Sequence, residues 1–266
     1  MNTRQIHRLL SLLMVAASLS LFSCHSSKEL IFMKDVQNNQ TIKTLADTIT
    51  EYIIKPGDIL YVSIKSMNAE VNALFNPESN MEAQNYSSHQ KYTTPQGAYL
   101  YGFEVDERGN LQLPIMGDIP VAGHPNSHIE KIVQKHANKY LKEAIVKVKL
   151  LNYKVTIMGE VKRPGVYYNY NNNFTVLEAL AMANGNTDYA NLTNIMVIRP
   201  QPDGQKAMIL DLAASDAWLQ KGFYLHPNDY IFVEPNTHKN FQLNAQVFSM
   251  IISSASLLLA VFGLLK

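Results

Sequence analysis

The chain has 266 residues, enough for two small domains with appendages. Its 23 basic and 22 acidic side chains balance to a formal +1, and only 17% of positions are charged against a usual ~25%. That balance excludes a nucleic-acid protein organised on a basic face, and it argues against long-range steering of a strongly anionic ligand. One cysteine excludes an intrachain disulfide and a cysteine metal cage.

Arg4, His7 and Arg8 make a basic start, and Leu9 to Phe22 is an apolar run broken only by serines. Leu21-Phe22-Ser23-Cys24 follows, so residues 1–23 read as a secretory leader rather than a fold element. An apolar residue at −3 and a small one at −1 resemble a bacterial lipoprotein cleavage box. The Cys24 thiol would take a diacylglyceryl group and its freed amine a third chain, and several chains anchor stably where one does not. An uncleaved signal anchor with an incidental cysteine is the alternative. Loss of the leader removes Arg4 and Arg8 and moves the formal charge to −1. Residues 24–50 are polar and read as a tether with at most one short helix or strand.

At Tyr52 the texture changes. Lys55-Pro56-Gly57-Asp58 reads as a turn, and Leu60, Val62 and Ile64 then fall on one face of a strand. Residues 68–100 lack periodicity; a polar insertion this long is either a solvated excursion or a segment that packs on a neighbour or lines a passage. Phe103 to Pro114 reads as strand, turn, strand, and Met116 to Gly123 adds a turn and a strand. Ser127 to Glu130 has capping-box spacing ahead of a helix carrying Ile129, Ile132, Val133, Ala137, Tyr140 and Leu141. Val146, Val148 and Leu150 then alternate with Lys147 and Lys149. This is an α+β unit of about 100 residues.

A second unit begins near Tyr153. Val155 to Val161 is a strand, Lys162 to Gly165 a turn, and Val166 to Tyr168 a returning strand. Thr175 to Glu178 is another capping box, and Asn184-Gly185 stops the short helix behind it. Asn194–Arg199 and Lys206–Leu210 read as a strand pair around Asp203-Gly204. Leu225 to Val233 closes the unit. Its Pro227-Asn228-Asp229 echoes Pro56-Gly57-Asp58, which suggests a recurrent turn ahead of a strand rather than a site.

Val247 to Leu265 contains no charged residue and, as a helix, would rise roughly 28 Å, close to a ~30 Å bilayer core. Gln242, Gln246, Ser249, Ser253, Ser256, Ala260 and Gly263 recur at spacings of four and three, drawing one small-polar stripe. Such a stripe suits a helix packed in a ring, facing neighbours or a lumen. A plain C-terminal anchor and a buried core helix are the competing readings.

No Ser/His/Asp order has a nucleophile context, and no glycine loop is shaped for phosphate. Asp58 and Asp229 read as turn caps. The eight histidines are scattered; His124 and His128 straddle a predicted helix start, off a common helical face, and read as surface residues rather than metal ligands. No cofactor is implied. One feature suits carbohydrate: Tyr167, Tyr168 and Tyr170 interleaved with Asn169 and Asn171 to Asn173, since aromatic faces stack on sugar rings and amides bond hydroxyls. The alternative is a hairpin loop whose tyrosines pack at a subunit contact.

Taken together, these strings resemble the bacterial polysaccharide export outer-membrane lipoproteins. Pro56 to Asp58, then Asp106, Gly109, Leu113, Pro114 and Gly117, match the export domain. Gly159-Glu160-Val161 with Pro164-Gly165, and later Pro227 to Asp229, match a β-grasp domain of the SLBB type. The resemblance implies an α+β fold with this order: signal peptide 1–23, tether 24–50 after lipidated Cys24, export domain 51–152, one SLBB domain 153–236, and a C-terminal transmembrane helix 237–266 that forms a helical barrel in an oligomer. It implies a homo-oligomeric ring, not an enzyme, that passes capsular or extracellular polysaccharide through the outer membrane in contact with an inner-membrane copolymerase. The bulk of the chain would be periplasmic. The rival expectation is a membrane-anchored periplasmic lipoprotein that binds a small ligand or partner through its SLBB domain.

Overall fold

A computed structural model describes residues 31–34, 51–67, 74–75, 97, 99–100, 102–171, 173–237, 239 and 249–257. The leader, Cys24, most of the 68–100 insertion, and Gln242 and Gln246 lie outside them.

β1 (Ile59–Lys65) is the seed of the first unit. Its alternation buries Leu60, Val62 and Ile64. It pairs antiparallel with β5 (Ile145–Leu150) from Leu60↔Leu150 to Lys65↔Ile145, so the first and last strands of the unit close on each other. The short β2 (Phe103–Glu104) takes the other edge. β3 (Asn110–Leu113) and β4 (Gly117–Pro120) form a separate hairpin. α1 (Asn126–Ala137) packs against β5 through Ile129, Val133 and Ala137. From the insertion, Phe75 is buried and lies 6.4 Å from the Tyr140 ring.

The expected capping box at Ser127 and Glu130 does not form. α1 starts two residues earlier than that box requires, after Pro125, with no side-chain cap. Glu130 instead accepts the Val148 amide at 3.0 Å, and Ser127 donates to Glu51 at 2.9 Å. Tertiary partners outcompete the local pair.

The second unit is a five-stranded sheet ordered β7–β6–β10–β8–β9. Its strands are β6 (Lys154–Gly159), β7 (Gly165–Tyr168), β8 (Ala190–Gln201), β9 (Gly204–Leu210) and β10 (Tyr230–Pro235). β6 and β10 run parallel at the centre; every other pairing is antiparallel. That order, with one helix α2 (Val176–Met182), is a β-grasp. Val155, Ile157, Val176, Ala179, Leu192, Ile195, Val197, Leu210 and Ile231 are fully buried. Thr175 and Glu178 make the complete capping box. At the other end Asn184 turns left-handed, Gly185 donates to the Leu180 carbonyl at 2.8 Å and Asn184 to Ala181 at 3.0 Å, a Schellman stop.

Two terminal segments depart from simple expectation. Residues 31–34 touch the second unit: the Met33 and Lys34 amides donate to Leu212 and Ala213 carbonyls at 3.0 and 3.1 Å. At the C-terminus, the expected transmembrane helix, and with it the helical barrel, is not borne out. Among the described residues no helix is long and apolar enough to cross a membrane. The helical stretch there is 249–257, which rises only ~14 Å against the ~30 Å of a bilayer core. The hydroxyls of Ser253 and Ser256 donate back to carbonyls of their own helix, Ser249 and Ile252, at 2.7 and 2.8 Å.

Candidate functional site

The two echoing turns meet at one place. In Lys55–Asp58 and in His226–Asp229 the fourth residue's amide donates to the first residue's carbonyl, at 3.1 and 3.2 Å. The third residue, Gly57 or Asn228, has positive φ. The aspartate then accepts the first residue's amide, at 2.8 Å in Asp58 and 2.7 Å in Asp229. Both aspartates therefore cap their own turns.

The turns grip the short segment between the units. Asn152 accepts the Ile59 amide at 3.0 Å and donates to the Gly57 carbonyl at 3.2 Å. The Asn228 amide donates to the Lys154 carbonyl at 2.7 Å, and the Tyr153 hydroxyl to the Leu225 carbonyl at 2.5 Å. Tyr52 completes the junction, with its hydroxyl on Asp58 at 3.2 Å and its ring edge-on to His226 at 6.2 Å.

Electrostatically the twins differ. Asp229 is fully buried and takes Arg199 in a bidentate pair, at 3.0 Å from Nε and 2.8 Å from Nη2. Burial pushes its carboxyl up, while the guanidinium and the His226 amide pull it back. Asp58 has no bidentate guanidinium among the described residues: burial pushes its carboxyl up, while the Lys55 amide, the neutral Tyr52 hydroxyl and the Lys55 charge pull it back. Burial and the nearby aspartates hold the Tyr52 and Tyr153 phenols well above their ordinary range, so both remain donors.

Two cavities flank this junction. One, of about 550 Å³, is bounded by both turns with Asn152, Arg199 and Gln201. The other, of about 220 Å³, is bounded by Glu51, Tyr52, Asn126, Tyr153, Tyr170 and Asn171 among others. Ile53 pairs with Pro125, and Ile54 is hydrogen-bonded to Gly123 and His124. That pairing lays Glu51 and Tyr52 beside the start of α1.

The predicted tyrosine group is divided by the fold. Tyr167 turns its hydroxyl onto the Arg163 carbonyl at 2.5 Å, and Tyr168 pairs with Lys154 in the sheet. Tyr170 lines the smaller of these two cavities, with Asn171 and Asn173. Sequence reasoning missed the partners from the first unit, because nothing local ties residues 51–52 or 126 to residue 170. It also separated His124 from His128; their rings stack at 4.6 Å because the turn before Pro125 folds back over the helix start. Among the described residues no group of three potential ligands could hold a metal ion.

The Gly159 to Gly165 string has a structural job. Gly159 has positive φ, and a Cβ there would lie 2.1 Å from the Val233 carbonyl oxygen. Glu160 accepts Thr187 at 2.6 Å and pairs with Lys239. The Lys162 and Arg163 amides donate to Gly185 and Ala183 carbonyls behind α2.

These features define a class: a two-domain α+β scaffold whose charged groups at the junction are engaged by backbone amides and by one another, with small cavities between the domains. Comparison with known proteins identifies the two domains. Residues 46–151 match the family described as polysaccharide biosynthesis/export protein, and residues 153–233 match the SLBB domain. The chain thus joins a polysaccharide export domain to an SLBB domain. It is similar to the EPS I polysaccharide export outer membrane protein EpsA of Ralstonia solanacearum, 28% identical over 185 residues, 67% of this chain and 46% of that protein. EpsA of Ralstonia nicotianae is 29% identical over 168 residues, 60% of this chain and 42% of that protein. The chain thus spans less than half the length of these curated relatives.

Proposed function

We propose that this protein is a non-catalytic subunit of an oligomeric outer-membrane channel that exports capsular or extracellular polysaccharide. The observation that carries the reading is the ordered pair of matched domains, 46–151 and then 153–233, in a chain similar to relatives named as polysaccharide export outer membrane proteins. Lipids on Cys24 hold the periplasmic bulk at the membrane. Met33 is only nine residues further on and is bonded to Leu212, so the second domain lies within about 32 Å of the anchor. Copies pack into a ring through the two domains, and an inner-membrane copolymerase delivers the polymer. The 249–257 helix supplies a further contact between copies: Met250 and Ile252 are 72% and 66% exposed in the single chain, and Ser249, Ser253 and Ser256 allow close approach.

The test is deletion of the gene in its own bacterium, with surface and secreted polysaccharide measured and the detergent-extracted protein sized. Loss of polymer, restored by the gene, and a multimeric particle are expected. Undiminished polymer in the deletion strain refutes the proposal.

A further inference from the structure

We infer that the cavity of about 220 Å³ between the two domains binds a single neutral hexose or N-acetylhexosamine residue of the transported polymer. The inference rests on the export reading and names a contact within it. At this size, below the ~300–1,000 Å³ of drug-sized pockets, the cavity takes one ring rather than an oligomer.

Its walls have the two chemistries a sugar offers. Tyr52 and Tyr153 have their hydroxyls engaged elsewhere, on Asp58 and on the Leu225 carbonyl. What they present is therefore ring surface, suited to the C–H faces of a pyranose. Around them stand polar groups suited to hydroxyls. Glu51 uses one acceptor position for Ser127 at 2.9 Å, out of about four on a carboxylate. Asn126 lines the cavity, and its Oδ1 is buried with no donor among the described residues. An acceptor left in that state calls for a partner, and its amide torsion is soft enough to turn toward a ligand hydroxyl.

The loop carrying Tyr170 is set in advance. Buried Asn169 accepts the Asn171 amide at 3.2 Å and donates to the Asn171 carbonyl at 2.7 Å. Among the described residues the cavity lining includes a carboxylate and no lysine or arginine, which disfavours uronates and phosphorylated sugars.

The experiment is saturation-transfer NMR on the full chain with glucose, N-acetylglucosamine and glucuronate as probes. Saturable transfer to a neutral sugar is expected at millimolar affinity, as suits a passage that must release its cargo. Tyr170→Ala and Asn126→Ala should each weaken binding about tenfold, with Tyr170→Phe within about twofold, because the ring carries the contact. Melting temperatures near wild type confirm that the variants fold, and Asn171→Ala provides a further variant if one does not. No transfer to either neutral sugar overturns the inference, as does transfer undiminished in the alanine variants. Tighter binding of glucuronate, or a change of particle mass in place of sugar binding, overturns it too. Polymer lost on gene deletion but no sugar bound overturns this inference alone; polymer retained on deletion overturns the export reading itself.

Discussion

Gly159 gives the sharpest test of the fold. Replacing it with alanine places a Cβ 2.1 Å from the Val233 carbonyl oxygen and 3.1 Å from the Val233 amide nitrogen. Real Cβ atoms do not approach within 3.0 Å, so β6 and β10, the parallel centre of the sheet, must separate by about an ångström. The new side chain must also adopt the left-handed φ of +89°, costing ~1–3 kcal/mol. Crowding of the new methyl against the Val233 backbone of β10 costs a similar ~1–3 kcal/mol. The total, roughly 2–6 kcal/mol, is a large share of the ~5–15 kcal/mol that holds a domain folded. For a unit of this size it lowers the second domain's Tm by about 8 °C or more. Gly165→Ala is the internal control, since a Cβ there meets the Tyr167 ring at an ordinary 3.8 Å. Differential scanning calorimetry of both variants decides the matter. A Gly159→Ala melt within a couple of degrees of wild type, or equal shifts in the two variants, would refute the close approach of β6 to β10.

The twin turns should respond unequally to truncation. Asp229→Ala strands the mostly buried Arg199 charge and costs ~3–5 kcal/mol, whereas Asp58→Ala loses a backbone amide and a neutral hydroxyl, ~1–3 kcal/mol; equal urea midpoints would contradict this. Thr175→Ala breaks a complete capping box and costs ~1 kcal/mol, while Ser127→Ala leaves α1 unchanged because Ser127 caps nothing; circular dichroism melts compare them. Burial raises the Glu160 carboxyl, but the Lys239 ammonium and the Thr187 hydroxyl outweigh it and hold it below the ordinary range. Its contribution is therefore full above the unfolded carboxylate value near ~4.3 and is lost as pH falls through the depressed folded value. Lys239→Met should flatten that acid limb, by less than ~1 kcal/mol since the lysine is 38% exposed; Tm measured from neutral to acid pH in both proteins checks it, and parallel curves would rule the pair out.

Much of the architecture was legible because it is local. Period-two runs marked β1 and β5, Thr175 and Glu178 marked the start of α2, and Asn184-Gly185 marked its stop. The repeated Pro-x-Asp turns were visible as an echo, and both form the same hydrogen-bonded turn. Such signals depend on residues within a few positions of each other, where backbone geometry and capping chemistry leave little choice. The same reasoning failed where a distant group competed. Glu130 took Val148 in place of the expected cap, and an apolar C-terminal run read as a membrane span was only a short helix among the described residues.

What tertiary structure alone decided is the junction. Pairing of β1 with β5 returns residue 150 to the start of the first unit. That return brings the Lys55–Asp58 turn to the linker at Asn152, and the parallel pairing of β10 with β6 brings the second turn to its other side. Glu51, Asn126 and Tyr170, spread over 120 residues, then share one cavity. No periodicity encodes that meeting, because strand partners far apart in sequence are chosen by burial of whole faces rather than by neighbouring residues. The sequence by itself determined the two domains, their order and their turns; the packing of one sheet beside the other decided where they form a site.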